Sequence, residues 1–85
     1  MFDNAKYIVI KWGYNEAIIP FPAYMNHKDM ADKLGQEVIS AGFIGEFLDC
    51  YGSSTTLHVS SRPYEDTLLL KIMLQLDDKK LVYKD

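Results

Sequence analysis

KYIVIKWGYNEAIIPF, Lys6 to Phe21, is the stretch whose reading decides the fold. Lys6–Trp12 is rich in β-branched and aromatic residues and reads as a strand. Gly13-Tyr14-Asn15 supplies turn chemistry, and Glu16–Phe21 returns as a second strand. Pro20 has no N–H to give to a ladder, so the second strand belongs at a sheet edge or ends early. Strand alternation puts Ile8, Ile10 and Trp12 on one side, matched across the hairpin by Ala17, Ile19 and Phe21. Tyr7, Val9 and Ile18 fall on the other side. The hairpin is therefore apolar on both faces, whereas a solvated sheet face normally reads polar.

Outward from this hairpin the chain repeats its layout. Asn26 is a good N-cap and Asp29 sits in a first turn. Met30, Ala31, Leu34, Val38 and Ala41 recur at helical spacing, and Gly42 stands where a helix stops. Gly35 would lie inside that helix, at a cost of about 1 kcal/mol relative to alanine. Phe43–Tyr51 reads as a third strand, Gly52-Ser53 as a turn and Thr55–Ser60 as a fourth strand. Ser61 caps a second helix, with Pro63 in its first turn and Glu65 and Asp66 behind it, running to Leu76. Residues 77–85 form a tail, with Leu81–Tyr83 as an optional fifth, edge strand. The expectation is one α+β domain over residues 1–85. Its order is ββαββα: a two-layer sandwich in which two helices cover one face of an antiparallel four-stranded sheet.

In that arrangement the helix-covered core holds Ile8, Ile10, Trp12, Ala17, Ile19, Phe21, Ile44, Leu48, Cys50, Leu57 and Val59, and Cys50 is a small buried apolar residue. The opposite, open face would carry Tyr7, Val9, Ile18, Phe43, Phe47 and Tyr51, with Lys11, Asp49 and His58 among them. The second helix adds to the surplus, since TLLLKIMLQL, Thr67–Leu76, is apolar nearly all round. Large exposed apolar patches mark interaction sites. The expected partner-binding residues are Tyr7, Val9, Ile18, Phe47, Tyr51 and His58, on a surface for a host protein or for a second copy in a homodimer.

Composition narrows the class. The chain has 85 residues, nine Lys and Arg against twelve Asp and Glu, and a formal charge of −3. That balance speaks against broad binding to a phosphate backbone. A chain 48% hydrophobic is not a disordered one. Cys50 is the single cysteine, which excludes an internal disulfide and fits a reducing cytoplasm. No segment approaches the roughly 20 apolar residues of a membrane span. Asp3 stands where a signal peptide wants positive charge, and Lys11 breaks the apolar run. The expectation is a cytoplasmic protein with no membrane partner.

CYGSSTTLHVSSRP, Cys50–Pro63, gathers a cysteine, a histidine, four serines and an arginine. A Cys–His nucleophilic pair needs both side chains within reach, but alternation sets Cys50 and His58 on opposite sides. GSSTT lacks the spacing of a nucleophile elbow and the ending of a phosphate loop. His27, His58 and Cys50 match no compact zinc spacing. Arg62 and Tyr64, with Ser60 and Ser61, open a helix where an anion could sit, although capping explains them more simply. No catalytic, cofactor-binding or metal-ligating residue is assigned. Aromatics on an open sheet also fit a platform for stacked bases. A nucleic-acid or nucleotide-binding module is thus the alternative, against which the charge and the missing RNA-binding sheet motif argue.

The segments MNHKDMA, VISAGFI and CYGSSTTLHVSSRPYED, with the leucine-rich run that follows, resemble small uncharacterised accessory proteins of phages and prophages. The resemblance implies a protein that acts by binding: a non-enzymatic inhibitor or modulator of a host protein, such as a component of an antiviral defence system, as anti-CRISPR proteins are. It implies no catalytic residue.

Overall fold

The computed structural model describes the backbone of residues 5–83 and the side chains of residues 5–75. Strands β1 (Ala5–Trp12) and β2 (Asn15–Pro22) form the expected hairpin, with Ile8 opposite Ile19 and Ile10 opposite Ala17. Its turn is Gly13-Tyr14. Gly13 takes a φ of 66° and Tyr14 stays at negative φ, the pattern of a type II′ turn with glycine in the first central position. The sheet order is β2-β1-β3-β4, so β2 is an edge as Pro20 requires. Pro20 faces Tyr7 in a pair that cannot be hydrogen-bonded, and alternation then turns the backbones of Glu16, Ile18, Pro20 and Pro22 outward. Two of those four positions have no N–H, which blunts the edge against strand addition.

Helix α1 (His27–Leu34) starts as expected: the Asn26 side chain accepts from the Asp29 N–H at 3.1 Å. It ends a full seven residues earlier than its apolar spacing predicts. Gly35 adopts a left-handed φ of 66° and returns its N–H to the Ala31 carbonyl, closing the helix. Val38 and Ala41, which fit the helical stripe, belong instead to β3 (Val38–Ile44), antiparallel to β1. Ile39 is an extra residue there, since Val9 pairs with Ser40 and Ile10 with Val38.

Phe43–Tyr51 is not one strand. It turns back at Gly45–Asp49, where Leu48 takes a φ of 65°, into the two-residue β4 (Cys50–Tyr51). The hydroxyl-rich stretch after it makes a small separate ribbon, β5 (Ser53–Ser54) with β6 (Val59–Ser60). Its turn is held by Ser54 Oγ, which accepts from the Leu57 N–H at 3.2 Å, and His58 sits in it at a φ of 56°. Helix α2 (Pro63–Tyr83) is longer than expected and takes in Leu81–Tyr83, so no fifth edge strand forms.

The main correction concerns the faces. The α+β class and the antiparallel four-stranded sheet hold, but the helices do not share a side. Ile8, Ile10, Phe21 and Ala41 pack with Ala31, Met30 and Leu34 of α1. Tyr7, Val9, Ile18 and Ile44 pack with Leu70, Leu69, Met73 and Leu74 of α2. The arrangement is helix, sheet, helix rather than a two-layer sandwich. Its cause is in β1, where Tyr7, Ile8, Val9 and Ile10 are all at most 1% exposed. A strand greasy on both faces needs cover on both. The apolar surplus of α2 supplies the second cover.

What fixes α2 there is polar. Asp66, 0% exposed, accepts from Tyr7 Oη at 2.5 Å, Ser40 Oγ at 2.9 Å, the Arg62 N–H at 2.9 Å, and Arg62 Nε and Nη2 at 3.0 and 2.9 Å. Arg62 reaches on to Glu16 of β2 at 2.8 and 3.3 Å. Two strands and the helix start are thus joined at one carboxylate, Arg62 carries the link on to a third strand, and no buried side-chain polar atom among the described residues lacks a partner. Breaking a buried, fully bonded charge is costly because its partners stay behind unpaired. Urea denaturation is expected to show a loss of about 3–5 kcal/mol for Asp66→Ala. Tyr7→Phe should lose about 1–3 kcal/mol, and Glu16→Ala, a half-exposed partner, under about 1 kcal/mol.

Candidate functional site

The six residues expected to bind a partner divide into two groups. Tyr7, Val9 and Ile18 are 0, 0 and 6% exposed beneath α2, so they form core and no docking face. This is a correction: the face assumed open is covered, and Tyr7 cannot stack a base either. Phe47 (83% exposed) stands on the β3–β4 turn, Tyr51 leans on Phe43 with ring centroids 5.9 Å apart, and His58 is exposed on the β5–β6 turn.

Trp12, Tyr14 and Tyr24 are exposed singly around the β1–β2 hairpin and the start of α1, whereas three further exposed apolar side chains lie together on the outer side of α2. Tyr64, Leu68 and Ile72 are 74, 43 and 53% exposed. They are spaced by four, so they form one ridge along the helix, while Leu69, Leu70, Met73 and Leu74 face the sheet. Beside the ridge runs a groove of about 510 Å³ between Tyr64, Thr67, Leu68 and Lys71 of α2 and Asp49 and Cys50 of the β3–β4 hairpin. The spacing was present in the sequence. Its signal was masked because the inward leucines are equally apolar, and only the partner surface tells the two sides apart.

Cys50 is buried, and Thr67 Oγ1 accepts its N–H at 3.0 Å. Burial pushes its thiol up to about 11, which keeps it protonated at neutral pH. Arg62 is engaged by Asp66 and Glu16, so the helix start is closed by its own side chains. Glu16 in turn is held below the usual carboxylate range by Arg62. No group of three or more metal-ligating side chains occurs among the described residues, and no helix there is long and apolar enough to cross a membrane.

On the α1 side, His27 is 5% exposed and set edge-on between Phe21 and Phe43, at centroid distances of 5.5 and 5.6 Å. Its Nε2 donates to the Gly42 carbonyl at 2.9 Å. A cleft of about 320 Å³ opens beside it, lined by Lys6, Phe43, Ser53, Thr55 and Thr56.

Comparison of the chain with protein-family models, with curated proteins and with solved structures gives no match. The functional reading therefore rests on the geometry.

His27 also sets an acid limit. Burial lowers its pKa, the Gly42 bond opposes that shift, and the Lys6 charge adds to it. The folded chain thus holds this proton less tightly than the unfolded chain. The stability contributed by the neutral His27 is fully present above about pH 6.5 and is lost as the pH drops below it, with Glu16 adding a further loss below about pH 4.5. Thermal midpoints of wild type and His27→Gln, followed across this range, should show a flatter upper limb for the variant. Equal slopes would contradict the assignment.

Proposed function

We propose that the chain is a non-enzymatic binding protein that docks the outer ridge of α2 into an apolar groove of a host protein and thereby inhibits or modulates it. The observation that carries the reading is the ridge itself: Tyr64, Leu68 and Ile72 exposed in line on a helix whose other side packs on the sheet through Leu69, Leu70, Met73 and Leu74. Residues four apart form the ridge that a groove on a partner accepts, and an amphipathic helix laid in such a groove is a recurrent mode of recognition. A tyrosine at one end provides the large, rigid contact typical of binding hot spots. Phe47, on the hairpin that walls the adjoining groove, extends the surface. The resemblance to small phage accessory proteins supports a host target, with an antiviral defence complex as the favoured kind, in the host cytoplasm. A second copy is the other occupant the ridge could take, giving a homodimer.

Leu68→Glu and Ile72→Glu test the proposal at exposed positions, where substitutions usually change stability by about 0.5 kcal/mol or less, and a thermal midpoint for each variant checks that the fold is kept. A host protein retained in stoichiometric amount by the wild type should bind each variant roughly 30-fold more weakly, a hot-spot loss of about 2 kcal/mol. Sedimentation of the isolated chain separates the homodimer from the host complex. A monomer whose partner binds both variants as tightly as wild type would refute the ridge as the docking surface.

A further inference from the structure

We infer that the cleft between β1, the start of α1 and the β5–β6 ribbon is a binding site for a small phosphate monoester. It lies on the α1 face, away from the α2 ridge, and does not depend on the protein-docking reading.

The cleft holds two unmatched groups of opposite demand. Lys6 is half-buried, and its ammonium spends one donor on the Met25 carbonyl at 2.8 Å. No carboxylate pairs with it among the described residues, where the ion pairs involve Lys28 and Arg62. Two of its three donors are left over. A half-buried cation without a counter-charge favours an anion.

The second group is His27. A carbonyl has no hydrogen to give, so Nε2 must carry the ring proton in its bond to Gly42. In the neutral ring Nδ1 is then a lone-pair acceptor. Nothing among the described residues donates to it, although the residue is 95% buried and lines the cleft. Nδ1 is not sealed off, since no fully enclosed side-chain polar atom is left unpaired. It thus keeps some access to solvent, on a residue that lines the cleft. Asn26, whose side chain caps α1 by accepting from the Asp29 N–H, lines the same cleft.

The occupant has to bring negative charge for Lys6 and a hydrogen for Nδ1. A carboxylate brings the charge and no hydrogen, and an alcohol the reverse. A phosphate monoester in its singly charged form brings both, and that form is abundant near its second pKa of about 6. Hydroxyls of Ser53 and Thr55 are available to the remaining oxygens. The cleft volume is larger than one phosphate needs and reaches the lower end of ligand pockets, about 300 Å³. Phe43 supplies a wall for an organic body.

Amide and histidine-ring NMR of the full chain tests this at about pH 6, with phenyl phosphate, methyl phosphate and benzoate as probes. Phenyl phosphate should shift the amides of Lys6, His27, Lys28 and Ser53–Thr56 saturably, with a Kd on the order of 1 mM. Methyl phosphate should bind more weakly and benzoate more weakly still. The His27 Nδ1 resonance should move as its lone pair accepts a hydrogen bond. Lys6→Met should weaken phenyl phosphate by about tenfold. If that variant loses its fold, Thr55→Val and the Nδ1 signal decide. No saturable shift up to about 20 mM, far above the expected Kd, would overturn the site. So would benzoate binding as tightly as phenyl phosphate, or a still Nδ1 resonance.

Discussion

The carboxylate of Asp66 is the point on which the architecture turns. It is wholly buried, yet it accepts hydrogen bonds from two strands and from the start of its own helix. A charge in that position tolerates no slippage, because any shift of α2 along the sheet leaves it or a partner unbonded in a low-dielectric interior. Burying Leu70, Leu69, Met73 and Leu74 drives α2 onto the sheet without dictating register. Tyr7, Ser40 and Arg62 dictate it. The extra residue Ile39 matters here, since the bulge brings Ser40 opposite Val9 and onto the α2 face. Glu16 extends the same network to the edge strand, so the hairpin and the helix start move as one unit.

Much of this was legible in the sequence, and the rest was hidden for definite reasons. The β1–β2 hairpin announced itself through alternation, a glycine-led turn and a proline that fixes its edge. Asn26 announced the start of α1. Its end did not show, because Leu34, Val38 and Ala41 keep helical spacing by coincidence while Gly35 breaks the backbone with a left-handed residue. The segment from Gly45 to Ser60 was beyond sequence reading, since strands of two residues carry no periodicity. The larger difference concerns quantity. Both faces of β1 are apolar and so is most of the circumference of α2, and in the sequence each stands as a separate surplus. They meet each other. Asp66 looked like an ordinary first-turn acid, and only the fold shows that it points inward.

What remains exposed after that pairing is narrower than an open sheet face and better defined. One ridge of α2 is left to solvent above the groove that contains Cys50, and a polar cleft is left on the far side beside His27. The two surfaces suit different occupants. The ridge offers shape and apolar area with little charge, as protein partners require. The cleft offers one cation, one acceptor and hydroxyls around a ring, the chemistry of small-ligand sites. The three-layer arrangement makes both available at once, because each helix covers one sheet face and leaves its own back free. A protein whose core is fully closed by two helices can present both without exposing its sheet.

Native-state hydrogen exchange tests the central claim most directly, namely that the Asp66 network welds α2 to the sheet as part of one cooperative core. The amides of Leu70, Met73 and Leu74 should exchange only through the same global opening as those of Val9 and Ile10 in β1, with matching free energies and matching dependence on denaturant. If the α2 amides instead exchange through a separate, low-energy opening while β1 stays protected, the helix is a loosely docked cover and the account is wrong.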